Sequence, residues 1–133
     1  MRPIVVATLV VVGIAAAATA ALVWSLQPSS IGADAFILTW TVAPYVVMGS
    51  VLLLRRRSGD APVWPWCLGV VAISAAGVYL MADVIVWNLD PQGAIAVFLI
   101  PLLQGIGLAA TLVVVWLGTW ILRRATSGTD TGT

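Results

Sequence analysis

Histidine, lysine and glutamate are all missing from these 133 residues, and cysteine occurs once, as Cys67. Each absence removes a chemistry. Without histidine there is no histidine-ligated haem, no Ser-His hydrolase site and no ordinary histidine-containing zinc site. One cysteine cannot close an intramolecular disulfide, nor run the thiol relay of a four-helix disulfide-forming or quinone-reducing membrane enzyme. Cys67 therefore reads as a small buried hydrophobe. A phosphate loop of the G-x-x-x-x-G-K-[ST] kind does not occur. The side-chain carboxylates are Asp34, Asp60, Asp83, Asp90 and Asp130 and no others. The chain is accordingly expected to be no enzyme, with neither cofactor nor metal.

Charge is scarce as well, at 8% of residues, while 62% are hydrophobic and the mean hydropathy is +1.11. A soluble domain of this size cannot cover helices that are apolar all round. Four apolar runs, about 4–26, 35–54, 64–87 and 94–122, each approach or exceed the ~20 residues that cross a ~30 Å hydrocarbon layer. The expected fold class is all-α: an integral membrane bundle of four transmembrane helices arranged as two antiparallel hairpins. It forms one domain, 1–124, followed by a disordered cytoplasmic tail, 125–133. The first run, with Arg2 before it and small residues Ala15–Ala21 within it, imitates a signal peptide. Its continuation through Trp24 to Leu26 is longer than a typical signal core, and a retained first helix is expected.

The arginines carry the topology. Arg2 precedes the first run, Arg55, Arg56 and Arg57 follow the second, and Arg123 and Arg124 follow the fourth. The loops Gln27–Asp34 and Asn88–Gly93 contain none. Because positive loops stay inside, both termini are expected in the cytoplasm, in the inner membrane of a bacterium. The tryptophans agree: Trp24, Trp40 and Trp87 lie towards the outside, and Trp64, Trp66, Trp116 and Trp120 towards the inside, as two interfacial belts. Arginines spent on topology leave no basic face for nucleic acid, so the expected surroundings are lipid bilayer and a homo-oligomer or larger membrane complex.

A few polar residues remain in the spans. Pro44 and Pro101 each remove a backbone hydrogen bond at about mid-depth, and are expected to kink their helices where Thr39, Tyr45 and Gln104 stand nearby. They also suggest a repeat, with helices 2 and 4 each carrying a proline ten or eleven residues after Asp34 and Asp90. Asp83 lies about five residues inside the outer end of the third run, with Tyr79 and Trp87 four residues away on either side. Intramembrane carboxylates usually face the bundle interior or a wet cavity. Asp83 with Tyr79, Gln104, Tyr45 and Thr39 thus forms a candidate polar pocket. Asp34, Asn88, Asp90 and Gln92 form its outer mouth. Every arginine is on the other side, which leaves Asp83 protonated, hydrogen-bonded or paired with an external cation. Small residues four apart, Gly13/Ala17/Ala21 and Gly105/Ala109, permit close helix approach within the bundle or between subunits.

The pattern Trp40-x-x-x-Pro44-Tyr45, Tyr79-x-x-x-Asp83, Asp90-Pro91-Gln92-Gly93-Ala94 and Pro101-x-x-Gln104 resembles a family of small bacterial four-helix membrane proteins. The likeness covers roughly residues 36–110. The family often has an aromatic residue before the glutamine, where Leu103 stands here. It implies a shared constellation of these residues and brings no activity with it. Small multidrug-resistance transporters are a useful contrast, for they depend on a glutamate in the first helix, and Pro3–Leu26 has no carboxylate. Two function classes follow. One is a non-catalytic multi-pass protein that belongs to a membrane complex or self-associates. The other is a small oligomeric carrier or channel for a proton, cation or small molecule, built on an outward-facing pocket at Asp83.

Overall fold

The structure is a computed structural model that describes residues 3–26, 31–57, 62–87 and 93–127. Four helices, α1 (Pro3–Trp24), α2 (Ile31–Arg57), α3 (Trp64–Ala82) and α4 (Gly93–Ser127), make up almost all of it. α3 runs on without a break into a π-helical turn, Asp83–Trp87. All four are long and apolar enough to cross a membrane, and no strand occurs among the described residues.

The largest differences from the sequence expectation are at three ends. α2 starts at Ile31, so Ile31, Gly32 and Ala33 are helix rather than turn. That start puts Asp34 in the first turn, where a carboxylate complements the helix dipole. α2 also carries its helix through Arg57, and α4 through Ser127, beyond the last apolar residue of each run. The tip of the 58–61 link and the final residues 128–133 lie outside the described residues.

α1 packs against α2 and α3, and α4 against the same two helices, which places α1 and α4 on one diagonal and α2 and α3 on the other. The buried face of α1 is a single stripe, Val5, Thr8, Val12, Ala15, Thr19 and Val23, at the three-and-four spacing of helices packed lengthwise. That of α3 is Trp66, Cys67, Val70, Ser74, Gly77 and Met81. The other faces are equally apolar and point outward, as lipid-facing surfaces do.

The core has two apolar layers. One, around Met48, Leu52, Val63, Trp66, Cys67 and Val70, fills the end nearer the arginines. The other, Met81, Ile85, Val97 and Ile100, fills the opposite end. Six tryptophans are exposed, as belt residues should be, but Trp66 is not: it is 1% exposed and sits in the first layer under the Arg55 guanidinium, 4.8 Å from its ring centre. It is a core residue rather than a belt anchor. The cation over its π face compensates part of the cost of burying an indole whose Nε1 finds no acceptor among the described residues. Arg124 covers the exposed Trp120 in the same manner at 3.9 Å.

The seam between α3 and α4 is set by glycine. A side-chain carbon on Gly69 would stand 2.5 Å from the Thr111 methyl, and one on Gly107 would stand 3.3 Å from Ile73. One on Gly77 would overlap the Gln104 amide. The pairs 69/111, 73/107 and 77/104 step in opposite directions along two antiparallel helices. In a bilayer, where lipid tails are as apolar as leucine, such close approach is a main source of helix association.

Candidate functional site

Between the two apolar layers lies a small polar centre to which every helix contributes. Gln104 of α4 donates from Nε2 to the hydroxyl of Tyr45 on α2 at 3.1 Å. That hydroxyl lies 2.9 Å from Thr19 Oγ1 on α1. A phenol accepting from Gln104 keeps its own proton for Thr19. α3 supplies the space: only a residue without a side chain at 77 leaves room for the amide. Thr19, Tyr45 and Gln104 are all at least 95% buried. Ser74, fully buried one turn from Gly77, donates to the Met48 sulfur at 3.5 Å. Buried polar groups in a membrane must find partners among themselves, as Thr19, Tyr45, Ser74 and the Gln104 Nε2 do.

The sequence placed Tyr45 and Gln104 in the pocket, and they meet. Thr39 does not join them; it is exposed and donates to the Ala35 carbonyl of its own helix at 2.7 Å. Tyr79 points away from the bundle, 62% exposed, with the Trp87 ring tilted against it at 6.1 Å. Asp83 opens the π-helical turn and is half-buried, its backbone N–H bonded to the carbonyls of Tyr79 and Leu80. Asp34 is half-buried, with one carboxylate oxygen lacking a donor among the described residues. Asn88, Asp90 and Gln92 of the expected outer mouth lie outside the described residues.

The prolines stand together. Pro44 and Pro101 line one groove of about 410 Å³ on the seam between α2 and α4, with Trp40 at the end away from Arg55 and Met48, Leu108 and Ala109 at the other. The helices continue through both prolines. Hydroxyls near Pro44 serve other carbonyls: Thr41 donates to Ile37 and Leu38, and Ser50 to Val46. Trp40 bridges the seam by donating from Nε1 to the Phe98 carbonyl at 3.1 Å. Among the described residues that line the groove, Gln104 and Trp40 are the polar side chains. Of the small-residue stripes, Gly105 and Ala109 lie on this groove, while Gly13, Ala17 and Ala21 face outward; neither Gly13 nor Gly105 has an atom of another helix within reach of a side-chain carbon.

Sequence reasoning missed Thr19, Ser74 and Gly77. The signal was there in spacing: Thr8 and Thr19 share a stripe with Val12 and Ala15, and Gly69 and Gly77 lie two turns apart on one face. Among the described residues no three His, Cys, Asp or Glu side chains converge.

Comparison with known protein families, with curated proteins and with solved structures finds no match to this chain.

Proposed function

We propose that this is a non-catalytic multi-pass protein of the bacterial cytoplasmic membrane, with both termini inside, that acts by associating within the bilayer, either with itself or as a subunit of a larger complex. The observation that carries the reading is the closed polar centre. Thr19, Tyr45 and the Gln104 Nε2 hydrogen-bond one another, and apolar layers at Leu52–Trp66 on one side and Met81–Ile100 on the other cap them. A carrier or channel needs a wet path, and the buried hydroxyls on either side of this centre, Thr8 and Thr41, are spent on carbonyls of their own helices. What the bundle offers instead is lateral: an apolar groove open between α2 and α4 beside small residues that nothing in the bundle meets. Small residues and lone polar groups at such faces are what membrane helices use to associate. The resemblance of the Trp40-Pro44-Tyr45 and Pro101-Gln104 pattern to a family of small bacterial membrane proteins fits this reading, since those residues converge on that one seam.

The arginine distribution supports the orientation. The C-terminal ends of α2 and α4, with Arg55 and Arg124, lie at one end of the bundle, beside the start of α3. The association is tested by extracting the protein in native lipid particles and measuring particle mass and composition. More than one chain, or a stoichiometric second protein, is expected. Particles holding one chain and lipid alone would overturn the proposal.

The carrier reading keeps one supporting observation: Asp83 stands in a π-helical turn, a geometry frequent at functional sites.

A further inference from the structure

We infer that the protein self-associates by a specific head-to-tail contact, in which Tyr79 of one copy enters the α2/α4 groove of the next and donates a hydrogen bond to Gln104. This rests on the association reading above and names its surface.

The groove lacks something that Tyr79 has. Gln104 is 5% exposed, lines the groove and commits Nε2 to Tyr45, yet no group among the described residues donates to its Oε1. An amide carbonyl left unpaired in an apolar setting is costly, so this acceptor calls for a donor from outside the chain. Tyr79 presents the converse. Its ring is 62% exposed, and no described residue accepts from its hydroxyl. A hydroxyl turned into hydrocarbon is equally ill-placed.

Depth makes them partners. Gly77 is level with the Gln104 amide, because the two touch across the α3/α4 seam. Tyr79 is two residues further along α3, a rise of about 3 Å, well within the reach of its side chain. Two copies in one membrane share the same depth scale, so the Tyr79 hydroxyl of one and the Gln104 amide of another ride at the same level. Within one copy they cannot meet: Tyr79 points away from the bundle on α3, whereas the groove opens between α2 and α4.

The surfaces around them also fit. Ala72, Ala75 and Ala76 are exposed beside Tyr79, so the helix surface falls away on that side of the Tyr79–Trp87 ring pair. Gly105 and Ala109 border the groove and let a neighbouring helix come close. A groove of about 410 Å³ takes a phenol ring comfortably. Different patches on the two partners make the contact heterologous, so it builds a ring or an open chain rather than a two-fold dimer.

The test uses full-length chains in phospholipid nanodiscs large enough for several copies. One tagged chain carries Ala76→Cys, beside an intact Tyr79, and a differently tagged chain carries Gly105→Cys, with the parent, which has only Cys67, as control. An added oxidant should link the two tags to each other and should leave each variant unlinked when it is alone. In parallel, Tyr79→Phe keeps the ring and removes the donor. It should weaken association about threefold while the melting of the separate chain stays unchanged, as expected for one membrane hydrogen bond. Particles that contain several chains but link Ala76→Cys only to itself would overturn this contact and leave self-association standing. Particles that hold a single chain would overturn both.

Discussion

The missing side chain of Gly77 is what allows the Gln104 amide to reach the Tyr45 hydroxyl. A carbon at position 77 would overlap the amide and come within 3.2 Å of that hydroxyl, so the polar centre of the bundle depends on a hydrogen atom on α3. Gly77→Ala should therefore destabilise the bundle by about 1–3 kcal/mol, the usual cost of overpacking a filled core. The measurement is thermal or denaturant unfolding in detergent. Gln104→Ala, which empties the contested space, should recover part of the loss in a double variant, because residues in contact do not act additively. Equal stability of Gly77→Ala and parent would mean that the amide sits elsewhere.

Tyr45→Phe tests the other half of the same cluster. It retains the ring and deletes the group that holds Gln104 and Thr19 at 3.1 and 2.9 Å. Hydrogen bonds within membrane bundles average about 0.6 kcal/mol, so losing both should cost about 1 kcal/mol. Thr19→Val preserves shape and breaks one bond, and should cost about half as much. A larger loss for Thr19→Val than for Tyr45→Phe would remove Tyr45 from the middle of the network.

The architecture was legible in the sequence because a bilayer imposes so few solutions. Length and hydropathy set four spans, and arginine placement grouped the helix ends. The site was only partly legible. Tyr45 and Gln104 could be picked because they are polar at mid-depth, and they do meet. Tyr79 and Asp83 could be picked on the same grounds, yet a helix that is apolar all round carries no marker of which side faces its neighbours, and Tyr79 turned outward. Thr19 and Gly77 are unremarkable by composition. Their roles come from where α1 and α3 pass the Gln104 amide, which is a tertiary fact. Trp66 looked like a belt residue because it lies at belt depth; burial under Arg55 is decided by the rotation of α3.

Topology can be read by labelling. A cysteine placed at Ser30 or Gln92 should react with a membrane-impermeant thiol reagent added from outside, and one at Ser58 or Ser127 should react only after the membrane is opened. Cys67 is buried and should stay silent in the background. Labelling at Ser127 from outside would overturn an even number of crossings with both termini in the cytoplasm.

Asp83→Asn separates the association and carrier readings. Asparagine keeps the shape and most of the hydrogen-bonding capacity of the side chain but cannot ionise. Asp83 is half-buried at the start of the π-helical turn, where its backbone is already held by the carbonyls of Tyr79 and Leu80. If the side chain serves packing and hydrogen bonding, the variant should unfold within about 0.6 kcal/mol of the parent, the average for one such bond. The parent should then melt at one temperature whether Na⁺, K⁺, Mg²⁺ or Ca²⁺ is present, and that is the expected result. A cation held by the carboxylate would behave otherwise. A ligand bound only to the folded state stabilises by RT ln(1 + [L]/Kd), about 2.7 kcal/mol at a hundredfold excess over Kd. The parent would then melt higher with that cation, and Asp83→Asn would lose the whole increment while keeping its fold. That outcome would overturn the association reading in favour of a cation site at Asp83.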